Sequence, residues 1–149
     1  KRFLGAKRAF TRPEETKTVS IGLHAALKAA RPHLAANEVE KLNDAAREVF
    51  KGETFRVEEW TAKQALPPEA RKQVEGALDP EHLPNRVIQL HKPTALEVLG
   101  RPTRYRGDFG LLVEKPAQFP KARFTVVPPK DGHGLTRVTI ETKVWEPIG

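Results

Sequence analysis

One short stretch of this chain carries the residue types that acid–base chemistry on a phosphodiester requires. His91 is followed directly by Lys92, and Thr94 stands two residues further on. An imidazole exchanges its proton near neutral pH, and a neighbouring ammonium group stabilises negative charge that develops on a phosphate. We therefore predict His91, Lys92 and Thr94 as catalytic residues for metal-independent phosphodiester cleavage. A histidine that only closes a strand end is the simpler interpretation of the same residues.

A dense group of basic and aromatic residues follows this stretch. The segment 101–107 is predicted to be a loop, and in it three arginines surround one tyrosine: Arg101, Arg104, Tyr105 and Arg106. Guanidinium groups pair with phosphates, and a tyrosine ring stacks on an unpaired base. We predict that this loop binds nucleic acid, although a loop that is merely solvated would have the same composition.

The end of the chain alternates between apolar and polar residues, as strands with one buried face do. Residues 122–145 are therefore predicted to form a hairpin. Its buried face is predicted to hold Phe124, Val126, Val138, Ile140 and Val144. Its open face is predicted to present Thr125 and Thr139 with three cations for nucleic-acid binding, Arg123, Arg137 and Lys143. Most antiparallel sheets have a solvated polar face, so the alternation predicts an exposed polar surface but does not show what that surface binds.

The residue types also exclude several kinds of site. The chain has no cysteine, which removes disulfides, thiolate metal sites and cysteine nucleophiles. Its single serine, Ser20, lies near the start of a predicted helix, where capping explains it. The histidines show neither of the spacings HxxxH and HExxH, and no phosphate-binding glycine pattern occurs. No metal and no other cofactor is predicted.

The net charge of +7 favours an anionic partner, with RNA preferred here. Five of the positive charges lie in the first twelve residues, so we predict that residues 1–18 form a basic arm. They are Lys1, Arg2, Lys7, Arg8 and Arg12. No apolar run approaches the roughly 18 residues that a membrane span needs. Residues 19–149 are long enough for one core and are predicted to form a single α+β domain.

This domain is predicted to be helical over 19–80 and mainly β over 84–149, with the N-terminal helices packed on a twisted antiparallel sheet of about four strands. Thr11 is predicted to cap a helix that Pro13 begins. Asn37 and Glu40 have the spacing of a capping box for the next helix, and Thr94 begins a second box. Two further strands are predicted over 86–90 and 109–114.

The order of these elements over residues 84–149 resembles the barnase–EndoU–colicin–RelE group of ribonuclease toxins. The resemblance consists of a strand that ends in His91, Lys92 and Thr94, a short helix, and a terminal sheet with arginines and threonines on its open face. It implies ribonuclease activity in the cytoplasm, after delivery within a longer secreted or phage-encoded protein. It also implies an acidic immunity protein as a partner.

Two other functions remain open on the sequence. The chain could be a non-catalytic nucleic-acid-binding or phage and conjugation accessory protein that uses its basic arm. It could also be an interaction module whose basic face meets an acidic protein.

Overall fold

The computed structural model describes residues 11–78, 87–130 and 134–148. Within these ranges the chain forms five α-helices and six short strands. The helices are α1 (Arg12–Ala30), α2 (Ala36–Val49), α3 (Val57–Lys63), α4 (Pro68–Ala77) and α5 (Lys92–Leu99). The strands are β1 (Thr54–Phe55), β2 (Ile88–Gln89), β3 (Thr103–Arg106), β4 (Leu112–Lys115), β5 (Phe124–Val127) and β6 (Arg137–Ile140). The predicted α+β class, with its helices first, is confirmed.

The strands form three separate antiparallel pairs, β1–β2, β3–β4 and β5–β6, so the predicted single sheet of about four strands is wrong. Strands β3 and β5 meet through the rings of Tyr105 and Phe124, whose centroids are 5.2 Å apart, and share no backbone ladder. Pro116 follows β4 directly, and Pro120 stands in the connection to β5. Because a proline has no N–H to donate, Pro116 ends the ladder of β4, and the 3-10 turn Lys121–Arg123 lies between Pro120 and β5.

Helix α1 begins where the sequence predicts. Thr11 is its N-cap, its hydroxyl accepts from the Glu14 N–H at 3.3 Å, and the Glu14 carboxylate accepts from the Thr11 N–H at 3.4 Å. This capping box and Pro13 in the first turn start a helix that continues to Ala30. Residues 12–18 of the predicted basic arm are thus the first two turns of α1. Lys1, Arg2, Lys7 and Arg8 lie outside the described residues.

Helix α2 begins earlier than the sequence predicts. Ala35 is its N-cap, and the Glu38 carboxylate accepts from the Ala35 N–H at 2.8 Å. The predicted capping roles of Asn37 and Glu40 are therefore wrong, because both residues lie inside the helix. Glu38 stands three residues after the cap and closes the first turn, which leaves Glu40 to interact with another element.

The core is built mainly from the helices. Helix α1 packs most extensively against α4, and side chains from both are fully buried: Val19, Leu23, Ala26, Ala70 and Val74. Ile88 of β2 and Ala95 of α5 are buried in the same cluster. Fully burying one aliphatic side chain contributes about 1.5–3 kcal/mol, so this helix packing supplies much of the stability of the domain.

The C-terminal hairpin contributes less to the core than predicted. Phe124 is buried, Val126 and Ile140 are half-buried, but Val138 and Val144 are exposed, against expectation. The reason is that β5, and not β6, packs on α2. In addition, β6 ends at Ile140, so Val144 lies beyond the ladder.

Residue Ala65 offers a test of the helix ends. It lies directly after the residue that caps the C-terminus of α3 and has a φ of 48°, in the left-handed region that favours glycine. We expect Ala65→Gly to raise the free energy of unfolding by up to about 1 kcal/mol, because the strain at the Cβ atom disappears.

The matched control is Ala62→Gly, an exposed position inside α3. There the same replacement should lower stability by roughly 0.5–1 kcal/mol. Urea denaturation of both variants checks the prediction, and effects of equal sign would contradict it.

Candidate nucleic-acid interface

His91 is held at a junction between α1, β2 and α5. It follows β2 and is the N-cap of α5. Its backbone N–H donates to the Thr16 hydroxyl at 2.8 Å, and that hydroxyl in turn donates to the Arg12 carbonyl at 2.7 Å. On the other side, the His91 ring nitrogen Nδ1 lies 2.7 Å from the Thr94 Oγ1. The position of His91 is therefore set by its neighbours on both sides.

The start of α5 differs from the prediction. The helix begins at Lys92, with Pro93 in the first turn, and the N-cap residue His91 makes no side-chain capping hydrogen bond. The capping box predicted at Thr94 is wrong, because Thr94 lies inside the first turn, is buried, and pairs with the His91 ring. Lys92 is exposed. The structure thus brings His91 and Thr94 together and leaves Lys92 in solvent beside them.

The segment 101–107 contains a strand where a loop was predicted. Residues Thr103–Arg106 form β3, which pairs with β4 in the register Arg104 to Glu114 and Arg106 to Leu112. The predicted strand over 109–114 starts late, because residues Asp108–Gly110 form a short 3-10 turn. Because neighbouring strand residues point to opposite faces, Thr103 and Tyr105 face inward and Arg104 and Arg106 face outward.

Tyr105, predicted to stack on a base, points toward the protein interior. Its ring is half-buried and stacks on Phe124, and its hydroxyl donates to the Glu40 Oε1 at 2.6 Å. Burial and this hydrogen bond raise the pKa of the Tyr105 phenol well above its usual value of about 10. The aromatic surface of Tyr105 is therefore used inside the fold.

A compact set of side chains, which we name the Glu40 cluster, consists of Glu40, Tyr105, Lys115 and Phe124. The Lys115 Nζ donates to the Glu40 Oε1 at 2.8 Å, and the side chains of Lys115 and Glu40 are only 14% and 16% exposed. The same Nζ lies 4.7 Å from the centroid of the Phe124 ring, within the range of a cation–π interaction. Helix α2, hairpin β3–β4 and strand β5 are joined at this point.

The sequence offered little to reveal the Glu40 cluster. Glu40 is a charged residue of the kind that usually lies exposed on a helix, and the sequence predicts it as part of a capping box. Lys115 shares the inward face of β4 with Val113, and this alternation is the one local sign of its burial. The pairing itself joins residues 75 positions apart.

Arg47 makes a second link from α2 to this region. Its guanidinium donates to the Leu99 carbonyl at 2.7 Å and to the Arg101 carbonyl at 2.9 Å. The first of these carbonyls belongs to the last turn of α5, where a cation is favourable. Arg47 therefore positions the chain where it enters β3.

The outward face of β5–β6 agrees with the alternation predicted from the sequence. The register pairs Thr125 with Thr139 and Val127 with Arg137. Arg123, Thr125, Arg137 and Thr139 are exposed. Lys143 is also exposed, but it lies beyond the end of β6.

Three of the outward arginines lack a carboxylate partner in the described part of the chain. We name Arg106, Arg123 and Arg137 the outer cations, because none of them forms an ion pair with another described residue. Arg104 differs, since its Nε lies 2.9 Å from the Glu114 carboxylate. Arg101 is exposed as well, and its carbonyl is engaged by Arg47. Two anchored hairpins thus present separate arginines to solvent.

The outer cations are not assembled around His91. That residue lies at the N-terminal end of α5, whereas β3 follows its C-terminal end, and an eight-residue helix spans about 12 Å. Within the described ranges no hydrogen bond or ion pair joins His91 to any of the predicted binding arginines. The structure contains two separate features, an arginine surface on the hairpins and a histidine–threonine pair on the helical core.

No protein family profile, curated protein or solved structure matches this chain. In the described part of the chain, histidines and acidic residues form no group of three or more that could hold a metal ion. None of the described helices is long and apolar enough to cross a membrane.

The raised pKa of Tyr105 leads to a prediction at alkaline pH. The unfolded chain releases the phenol proton near pH 10, whereas the folded protein retains it. The stabilisation is thus complete below about pH 10 and is lost as the pH rises further. Tyr105 is the single tyrosine in the chain, so tyrosinate absorbance reports on this residue alone.

We expect this absorbance to appear together with unfolding, as followed by circular dichroism. Titration near pH 10 in a protein that is still folded would contradict the buried hydrogen bond.

The ion pair in the Glu40 cluster can be tested by removing its cation. Lys115→Ala should lower the free energy of unfolding by about 3 kcal/mol, because it leaves the Glu40 carboxylate largely buried without its charge partner. The control is Lys121→Ala, whose exposed side chain lies 3.9 Å from Asp44 and should contribute less than about 0.5 kcal/mol. Chemical denaturation compares the two variants, and equal losses of stability would show that the cluster is not the anchor.

Proposed function

We propose that this protein is an RNA-binding domain that holds backbone phosphates on the outward faces of hairpins β3–β4 and β5–β6. The observation that carries this proposal is the presence of the outer cations, Arg106, Arg123 and Arg137, without carboxylate partners among the described residues. A guanidinium without a carboxylate partner is ready to bind a phosphate, often through two parallel hydrogen bonds. Exposed Thr125 and Thr139 supply hydroxyl groups on the same hairpin as Arg123.

Anchoring of the hairpins supports this proposal. The Glu40 cluster fixes both hairpins to α2 through their inward faces, so the backbone that carries the outer cations is already ordered before a ligand arrives. Such preorganisation reduces the entropic cost of binding. The net charge of +7 adds long-range attraction that raises the rate of encounter with a polyanion.

RNA is the substrate class that we favour, from the order of elements over residues 84–149 and its resemblance to ribonuclease toxins. An acidic protein would also be attracted to the outer cations, and the immunity protein implied by that resemblance is such a partner. Adding polyglutamate to the RNA complex, at a matched concentration of charges, separates these two ligands. If the arginines recognise phosphates, polyglutamate should displace little of the bound RNA.

The proposal predicts a reduced salt dependence of RNA binding when the outer cations are removed. In the triple variant Arg106→Gln, Arg123→Gln and Arg137→Gln, the log–log slope of affinity against salt should fall by roughly 0.7 for each arginine–phosphate pair that the substitutions remove from a single strand. Fluorescence anisotropy of a labelled oligoribonucleotide at several salt concentrations measures this slope.

The control lowers the net charge equally at three exposed lysines on the helices, with Lys28→Gln, Lys41→Gln and Lys72→Gln. This variant should retain the wild-type slope. If both triple variants show the same reduction in slope, binding is a property of net charge and the proposed surface is wrong.

A second candidate function is a metal-independent ribonuclease, favoured by the 2.7 Å distance between the His91 Nδ1 and the Thr94 Oγ1. This interaction orients the ring, and exposed Lys92 adjoins it. General acid–base catalysis needs a positioned imidazole of this kind within reach of the substrate. The separation of His91 from the outer cations makes this candidate weaker than RNA binding.

Incubation of RNA with the protein in EDTA tests this candidate. If it is correct, wild type cleaves, His91→Ala does not cleave, and His91→Ala still binds RNA. The control His24→Ala, at an exposed position on α1, should cleave like wild type. Absence of cleavage by the wild-type protein would reject the ribonuclease and leave the binding function in place.

A further inference from the structure

The tip of hairpin β3–β4 presents a fully exposed aromatic side chain. Phe109 has no part of its surface covered, and Leu111 and Leu112 beside it are also exposed. Burying a phenylalanine stabilises a fold by about 1.5–3 kcal/mol, and the exposed side chain of Phe109 contributes none of this stabilisation. Phe109 lies three residues after Arg106, which is one of the outer cations.

The backbone at this tip is strained and closely held. Phe109 has a φ of 52°, in the left-handed region that a bulky residue rarely adopts, and Gly110 follows with a φ of 77°. Two backbone hydrogen bonds close the turn, from the Leu111 N–H to the Asp108 carbonyl at 3.0 Å and from the Gly107 N–H to the Leu111 carbonyl at 2.8 Å. Glycine would satisfy this turn without strain, so the ring is present at a cost to stability.

We infer that Phe109 is a base-stacking residue, and that the RNA site of this protein prefers single-stranded RNA to fully paired duplex. This inference rests on the proposed function and identifies its substrate class. An aromatic ring on a rigid support stacks on any unpaired base, whereas the bases of a duplex are already stacked and covered. Arg106 then binds a phosphate next to the stacked base, and Leu111 and Leu112 extend the apolar surface along β4.

A lipid surface is the main competing ligand for an exposed apolar tip. Asp108 directly precedes Phe109, and the Glu114 carboxylate also faces outward on β4. Insertion of the tip into a bilayer would take the Asp108 carboxylate out of water, which is costly for a charged group. Stacking on a base requires only one face of the ring, and Asp108 remains in water. The cost of desolvating Asp108 therefore favours single-stranded RNA over a lipid surface.

The test compares Phe109→Leu with Phe109→Tyr in the whole protein. Leucine keeps an apolar side chain at the tip but has no ring, while tyrosine keeps the ring. Anisotropy measurements use a labelled single-stranded oligoribonucleotide and the same strand annealed to its complement. We expect wild type to bind the single strand more tightly than the duplex. Phe109→Leu should weaken single-strand binding by about 5- to 150-fold, the range that base stacking represents, and leave duplex binding unchanged.

Phe109→Tyr should bind the single strand within about twofold of wild type, since the ring alone is responsible for stacking. Phe109→Gly should melt at a higher temperature than wild type and bind the single strand as weakly as Phe109→Leu. A higher melting temperature with weaker binding shows that the strained ring serves the ligand and not the fold.

Three results would overturn this inference. The first is single-strand binding by Phe109→Leu at wild-type affinity, and the second is an equal loss of duplex binding in that variant. The third is sedimentation of wild type with phosphatidylserine vesicles that Phe109→Leu preserves and Phe109→Gly abolishes, which assigns the apolar tip to membranes. If any of these occurs while the arginine triple variant still shows its reduced salt slope, the RNA-binding function stands. If wild type binds no nucleic acid at all, both proposals fail.

Discussion

The carboxylate of Glu40 is the interaction on which the arrangement of the C-terminal half depends. It accepts hydrogen bonds from the Tyr105 hydroxyl and the Lys115 ammonium group, at 2.6 and 2.8 Å, where little water reaches it. A two-stranded hairpin is marginally stable by itself, and hairpins β3–β4 and β5–β6 meet without a shared ladder. One largely buried acid on α2 therefore does what a continuous sheet would otherwise do. It holds strands β3, β4 and β5 in a single orientation.

That orientation separates inward from outward residues. Side chains at alternate positions of β3 turn inward to the Glu40 cluster or outward to solvent, so fixing Tyr105 inside also fixes Arg104 and Arg106 outside. The same reasoning applies at β5, where burial of Phe124 places Thr125 outside. The anchor and the proposed binding surface are thus opposite faces of the same strands, and removal of the anchor would disorder that surface as well as destabilise the fold.

Features that depend on neighbours in the sequence could be predicted well. The capping role of Thr11, the start of α1 near Pro13 and the alternation in β5–β6 all involve residues within a few positions of one another or paired across a hairpin. Errors of two and three residues arose at the starts of α2 and α5, where Ala35 and His91 hold the N-cap positions in place of the predicted Asn37 and Thr94. The outward position of Arg137 follows from alternation alone, whereas Arg123 is exposed in the 3-10 turn Lys121–Arg123 that precedes β5.

The amino-acid sequence by itself determined the mixed α+β class and the presence of the helices. It also determined the alternation in the hairpin β5–β6, which places polar and apolar side chains on opposite faces. Each of these features is governed by local backbone preference and side-chain spacing. Only the tertiary structure decided that the strands form three pairs, that Tyr105 lies inside, that Val138 and Val144 remain exposed, and that His91 lies apart from the arginines. These outcomes depend on which surfaces meet across long stretches of chain. The inward position of Tyr105, for example, depends on Glu40, which lies 65 positions away from it and also pairs with Lys115, and no local pattern encodes these contacts.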